Sequence, residues 1–242
     1  LLTELHGKDQ LETHYSEWLN FGKFVNMCSK EGIKNLYLTG QTADGLQYKY
    51  LGEIVSYLQS IGFNVGVRTN GFLAEDKMDI INTMNAGIGY SIHSLDDCTN
   101  YKIMGSYIKP NWDKVIPASG KNVRVSVVLC EYNVNEFFDI IKYISTFENV
   151  RYIQVRRIST DTRFEELQQH IKVYEDFYKE LDTAYPSYGN FYSAQQHEIF
   201  GKEVNFWRTV ETSINSFNYF TDGTISDEYF IVEGYLKNAV NR

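Results

Sequence analysis

Four short apolar segments of this chain alternate polar and apolar residues, and their polar sets could meet. They are Arg68 and Asn70, Ser91 and His93, Ser126, and Gln154 and Arg156. Successive strand residues point to opposite faces, so each set shares one face of its strand. Hydroxyl, amide, imidazole and guanidinium groups gathered at one end of a sheet can hold a polar ligand through hydrogen bonds and charge. Buried together without a ligand or water they would be costly, because a desolvated polar group needs a partner. A self-satisfied internal network remains the alternative for any one of them. The three cysteines, Cys28, Cys98 and Cys130, are scattered without metal-ligand spacing and suggest no disulfide framework. Cys28 falls on an apolar helix face, Cys130 closes a strand, and Cys98 follows the Ser91–His93 strand.

The elements that must position these groups read as alternating strands and helices. Leu1–His6 reads as a first strand, and Leu11, Trp18, Phe21, Val25 and Cys28 as one face of a helix over 10–31 that Gly32 ends. Further strands are expected at 35–39, 64–69, 88–93, 123–129 and 150–158. Helices are expected at 46–61, 74–85, 135–147 and 163–184, with one or two short ones in the irregular stretch 96–119. Six βα units in a row predict an α/β fold, a partial (β/α)6 TIM-like barrel, with chemistry at the strand carboxyl ends. The barrel core is placed at 1–184. An α+β extension with antiparallel strands, placed to cover a substrate, follows at 185–242. Thr221-Asp222-Gly223-Thr224 marks a hairpin turn there.

Bulk properties exclude some classes. With 242 residues, 43% apolar and 22% charged, the chain suits one sizeable globular core. No run approaches the roughly 18 apolar residues of a membrane span, and no signal peptide opens the chain, so no membrane association and a cytoplasmic location are expected. A net charge of −8 argues against nucleic acid as a partner while leaving room for a local cationic pocket.

The ordered strand ends resemble the radical S-adenosylmethionine (SAM) enzymes over roughly residues 1–160. Leu38-Thr-Gly-Gln41 sits where that family carries a Gly-Gly-Glu-Pro motif, keeping Gly40 and replacing the rest. Thr69-Asn70-Gly71 is similar to the family's third-strand ending, and Val123–Val128 with Tyr132-Asn133 to its fifth strand and exit. The resemblance implies SAM and a [4Fe–4S] cluster as cofactors, a peptide or small-metabolite substrate, and an electron donor such as flavodoxin or ferredoxin. It implies hydrogen-atom abstraction by a 5′-deoxyadenosyl radical. It places Gly40, Gln41, Asn70, Ser91, His93, Ser126 and Arg156 around SAM, and makes Cys98 a possible hydrogen-atom donor.

The family's CxxxCxxC loop is missing: only His6-Gly-Lys-Asp9 joins the first strand to the first helix. Either the encoded chain carries a cysteine loop between about Gly7 and Gln10, or the barrel binds a nucleotide or SAM-like ligand without radical chemistry. A hydrolase or lyase built on His93 and a carboxylate such as Glu131 is the weakest reading, because no paired carboxylates stand out.

Overall fold

The computed structural model describes residues 6–40, 42–120, 122–158, 165–208 and 216–226. The expected first strand therefore lies, except for His6, outside the described residues. Helix α1 spans Phe21–Lys30 and leads into β1 (Asn35–Leu38). Then come α2 (Leu51–Ser60), β2 (Asn64–Thr69), α3 (Met78–Ile81) and β3 (Gly87–Ser91). Two short helices, α4 (Asp97–Met104) and α5 (Trp112–Ala118), precede β4 (Val123–Leu129). Helix α6 (Phe137–Ser145), β5 (Val150–Arg157) and the long α7 (Glu165–Ala184) follow. The last described strands are β6 (Gly189–Phe191), β7 (Ala194–Ile199), β8 (Lys202–Trp207), β9 (Asn218–Tyr219) and β10 (Ile225–Ser226).

Strands β1 to β5 pair in parallel and in sequence order, forming a partial barrel with helices in the crossovers. The sheet does not end there. β8 pairs in parallel with β5, and β7 and β6 add antiparallel strands beyond it. Strands expected in an appended extension thus continue the barrel's own sheet. The expected hairpin forms as β9 and β10, with Tyr219 opposite Ile225. No helix among the described residues is long and apolar enough to cross a membrane.

The outer layer follows from alternation. Val123, Val125, Val127 and Leu129 of β4 are fully buried against helices, while Arg124, Ser126 and Val128 between them face the lumen side and stay half-buried. Leu51, Ile54, Val55 and Leu58 of α2 and Phe137, Ile140, Ile141 and Ile144 of α6 supply the facing surface. Each such side chain contributes about 1.5–3 kcal/mol by leaving water.

Helix starts depart from the periodic reading, each for a local reason. In place of a helix from residue 10, a 3-10 turn at Tyr15–Glu17 is capped by the His14 side chain, and Asn20 at φ 62° resets the chain before α1. Asp44 caps another 3-10 turn at Gly45–Gln47, delaying α2 to residue 51. Only Met78–Ile81 is α-helical within 74–85. Thr83 Oγ1 donates back to the Ile80 carbonyl, and the Asn82 amide bonds across to Ala118 and Gly120.

Candidate functional site

The parallel register stacks the inward side chains in rows. One row runs Ser91, Ser126, Gln154, Asn205 across β3, β4, β5 and β8. One step toward the strand starts lie Arg68, Gly89, Arg124, Tyr152 and Glu203, and one step toward the strand ends lie Val128, Arg156 and Trp207. A cavity of about 1260 Å³ opens beside these rows and is lined by Gly40, Arg68, Arg124, Arg156 and Trp207 among others, with Gln154 the middle-row residue on its wall.

The middle row is chemically unfilled. The side chains of Ser91, Ser126 and Gln154 make no hydrogen bond among the described residues. Asn205 is fully buried; its amide donates to Glu203 Oε1 at 2.8 Å, and its Oδ1 has no partner among the described residues. Four adjacent strands therefore present donors and acceptors that a polar ligand or water would satisfy.

The remaining expected site residues fall in different places. Gly40 lines the cavity at a turn so tight that a Cβ there would overlap the Ala43 carbonyl. Gln41 lies outside the described residues. Asn70 and Ser91 line a crevice of about 10 Å³ beside Lys109 and Trp112, room for a single water. The Asn70 Oδ1 accepts from the Phe72 N–H at 3.1 Å, leaving its NH₂ for a ligand.

His93 is committed elsewhere. Its Nδ1 accepts from the Val128 N–H at 3.0 Å, so the neutral ring carries its proton on Nε2. Burial pushes its pKa down to about 4. Asn133 completes this seam between the ends of β3 and β4 by donating to the carbonyls of His93 and Val128 and accepting from the Cys130 N–H. Cys98 is exposed in the first turn of α4 and does not line the cavity. Arg208 bonds Glu175 at 2.9 Å and lies over the Tyr178 ring.

Two carboxylates that the sequence reading passed over hold the strand ends. Asp44 accepts from Thr69 Oγ1, from the Asn70 N–H at 2.7 Å and from the Leu46 N–H at 2.9 Å. It thereby fixes the β2 ending against the loop after β1. Asp9 accepts from the Thr42 N–H, Thr42 Oγ1 and Ala43 N–H at 2.6–2.7 Å. The aspartate before a turn-rich segment is the only sequence signal for either. Arg124 was also passed over, although it shares the parity of Ser126.

No family model and no curated protein matches this chain. Solved structures do. A structure of TYW1 with a lysine–pyruvate adduct bound is 17% identical with a TM-score of 0.48, covering 75% of this chain and 63% of its own. SuiB from Streptococcus suis, bound to S-adenosylmethionine, is 13% identical with a TM-score of 0.53, covering 84% of this chain and 45% of its own. The fold, a mixed α/β partial barrel on a mostly parallel sheet, is shared with SuiB. This chain spans less than two thirds of either neighbour. Within such a barrel, the unfilled row of Ser91, Ser126, Gln154 and Asn205 lies across β3, β4, β5 and β8, below the strand carboxyl ends.

Proposed function

We propose that this chain is a radical SAM-type core that binds S-adenosylmethionine in its lumen, beside a small-metabolite or peptide substrate. One observation carries the reading: the uncommitted side chains of Ser91, Ser126 and Gln154 run in register below the carboxyl ends of a barrel whose fold SuiB shares in its SAM-bound state. The Ser91 and Ser126 hydroxyls and the Gln154 amide suit ribose hydroxyls and adenine edges, which offer both donors and acceptors. Arg156, which lines the large cavity together with Gln154, suits the carboxylate of the methionine portion. Gly40 lets the backbone approach closely because nothing larger fits there.

When bound, a [4Fe–4S] cluster would supply the electron that cleaves SAM, and it needs three converging thiolates. The described cysteines do not provide them. Cys28 is buried in α1 with its thiol pushed up to about 11 by burial, Cys130 is buried after β4, and Cys98 is exposed in α4. No group of three histidine, cysteine, aspartate or glutamate side chains converges among the described residues. These residues do not fit a cluster, and no radical step is assigned to them.

The enzyme form of the proposal, with its flavodoxin or ferredoxin donor, therefore requires a cysteine loop in the encoded chain between about Gly7 and Gln10. The Asp9 carboxylate seated on the Thr42 and Ala43 N–H groups favours a second form, a barrel that binds SAM or a related nucleoside without radical chemistry. Calorimetric titration of SAM, repeated after anaerobic iron and sulfide reconstitution, separates them. Binding that Ser126→Ala weakens supports the site, and absence of binding overturns it. Iron uptake with SAM cleavage under a reductant establishes the enzyme form. SAM binding by a verified full-length chain that takes up no iron establishes the other.

A further inference from the structure

At the start of the strands the lumen is basic and open. Arg124 lies across Gly89, where a Cβ would come within 2.6 Å of its Nε, and its guanidinium carbon sits 5.0 Å from the centre of the Tyr37 ring. Arg68 approaches the same ring at 5.4 Å. Tyr37 in turn crosses Gly66, with 2.8 Å to a Cβ placed there, and its hydroxyl donates to the Ala86 carbonyl at 3.4 Å. The register shift between Val123 and Arg124 leaves Arg151 as the extra residue of β5, because Val150 pairs with Val123 and Tyr152 with Arg124. Arg151 is exposed and lines the same cavity as Arg68, Arg124 and Tyr37.

Neither Arg124 nor Arg151 has a carboxylate or a hydrogen-bond partner among the described residues. Four carboxylates among the described residues line the cavity, and none of them forms an ion pair with Arg124 or Arg151: Asp44 is held by Thr69, Asn70 and Leu46, Glu203 by the Asn205 and Gln196 amides, Asp9 by the Thr42–Ala43 turn, and Glu31 is exposed at the end of α1. Two guanidinium groups without an ion pair on one cavity wall form a local cationic patch, in a chain of net charge −8, that can receive an anion. A guanidinium lying over an aromatic ring still presents its N–H edge, the geometry that receives a carboxylate or phosphate in a bidentate way. Barrels ordinarily close this amino-terminal end with packed side chains. Here two bare positions, Gly66 and Gly89, make room for the Tyr37 ring and the Arg124 stem instead.

We propose that this mouth is an oxyanion-binding subsite that holds the carboxylate or phosphate of a small metabolite between Arg124 and Arg151, with Tyr37 as the platform. It lies one inward row below Ser91, Ser126 and Gln154, about 7 Å along the strands, and does not depend on what binds there.

Inorganic phosphate and succinate are titrated separately into the wild type, Arg124→Gln and Arg151→Gln by calorimetry. Ionic strength is fixed with sodium chloride, and circular dichroism checks the fold of each protein. The wild type binds at least one oxyanion above the chloride control, and each substitution weakens that binding by roughly tenfold or more. Phosphate alone assigns a phosphate ester, succinate alone a carboxylate, and both the oxyanion class as a whole. Should Arg124→Gln fail to fold, the exposed Arg151→Gln decides by itself. No heat beyond the chloride control, or unchanged affinity in Arg151→Gln, overturns the subsite. Ser126→Ala, which weakens SAM binding in the reading above, leaves oxyanion affinity intact, so the two sites fail separately.

Discussion

His93 shows how one side chain can be read correctly in position and wrongly in duty. Alternation puts it on the lumen face with Ser91, and the resemblance hands it to the cofactor. The structure spends its Nδ1 on the Val128 N–H near the end of β4. The nearby Asn133 amide, spanning two carbonyls and one N–H, is not legible as part of this seam, because two of its contacts are local and the one to His93 joins residues 40 apart in sequence. The seam has a pH signature. An imidazole that titrates near 6.5 in the unfolded chain and near 4 when folded binds its proton more tightly unfolded. Its contribution is whole above pH 6.5 and is lost as pH falls toward 4, by up to about 3 kcal/mol. His93→Gln, which keeps an acceptor for Val128, should flatten the fall of Tm over that window. An unchanged profile would remove His93 as the cause.

At the scale of elements, the order of strands and helices was legible because buried β-branched runs and glycine stops recur at crossover spacing. Their starts were not, because a capping side chain such as Asp44 or His14 competes with apolar periodicity and wins locally. The β2 ending illustrates how tightly these joints are made. Thr69 and Asn70 hang on Asp44, and Gly71 follows at φ +85° with the Trp112 ring 2.5 Å from where a Cβ would stand. Gly71→Ala therefore combines left-handed backbone strain with a collision against a ring that is itself buried. It should lower unfolding free energy by about 2–3 kcal/mol in urea titration. A loss below about 0.5 kcal/mol, the range of an ordinary surface change, would show that the joint yields. What composition hid was the interior: a net charge of −8 gives no sign that arginines converge on one lumen, and while alternation points Arg68 and Arg156 inward, only strand register adds Arg124 and Arg151 to them.

Across the whole molecule, the segment 216–226 is fastened to the beginning of the described chain. His6 Nδ1 meets Asp222 Oδ2 at 2.8 Å and its ring stacks on Phe220. Gln10 donates to the Thr221 carbonyl, Asn20 to Gly223, and the Tyr219 hydroxyl to Leu19. Trp18 stacks on Tyr219 and meets Phe21 edge-on at 5.4 Å. Trp18→Ala should release this clasp without loosening the sheet, raising amide exchange across 216–226 while β3, β4 and β5 stay protected. A uniform rise in exchange would instead make the clasp part of one cooperative unit. The clasp also orders events in time. Contacts separated by 200 residues or more form only after the intervening chain exists, and closing so long a loop is slow. During synthesis the His6 ring and the face of Trp18 that meets Tyr219 must wait until residues 219–223 have left the ribosome, although Tyr15 and Trp18 already find Tyr57 and Tyr48. The contacts of His6 and Trp18 with this segment are then among the last to form, and a nascent chain stalled before residue 219 would leave part of that aromatic surface open for chaperones to find.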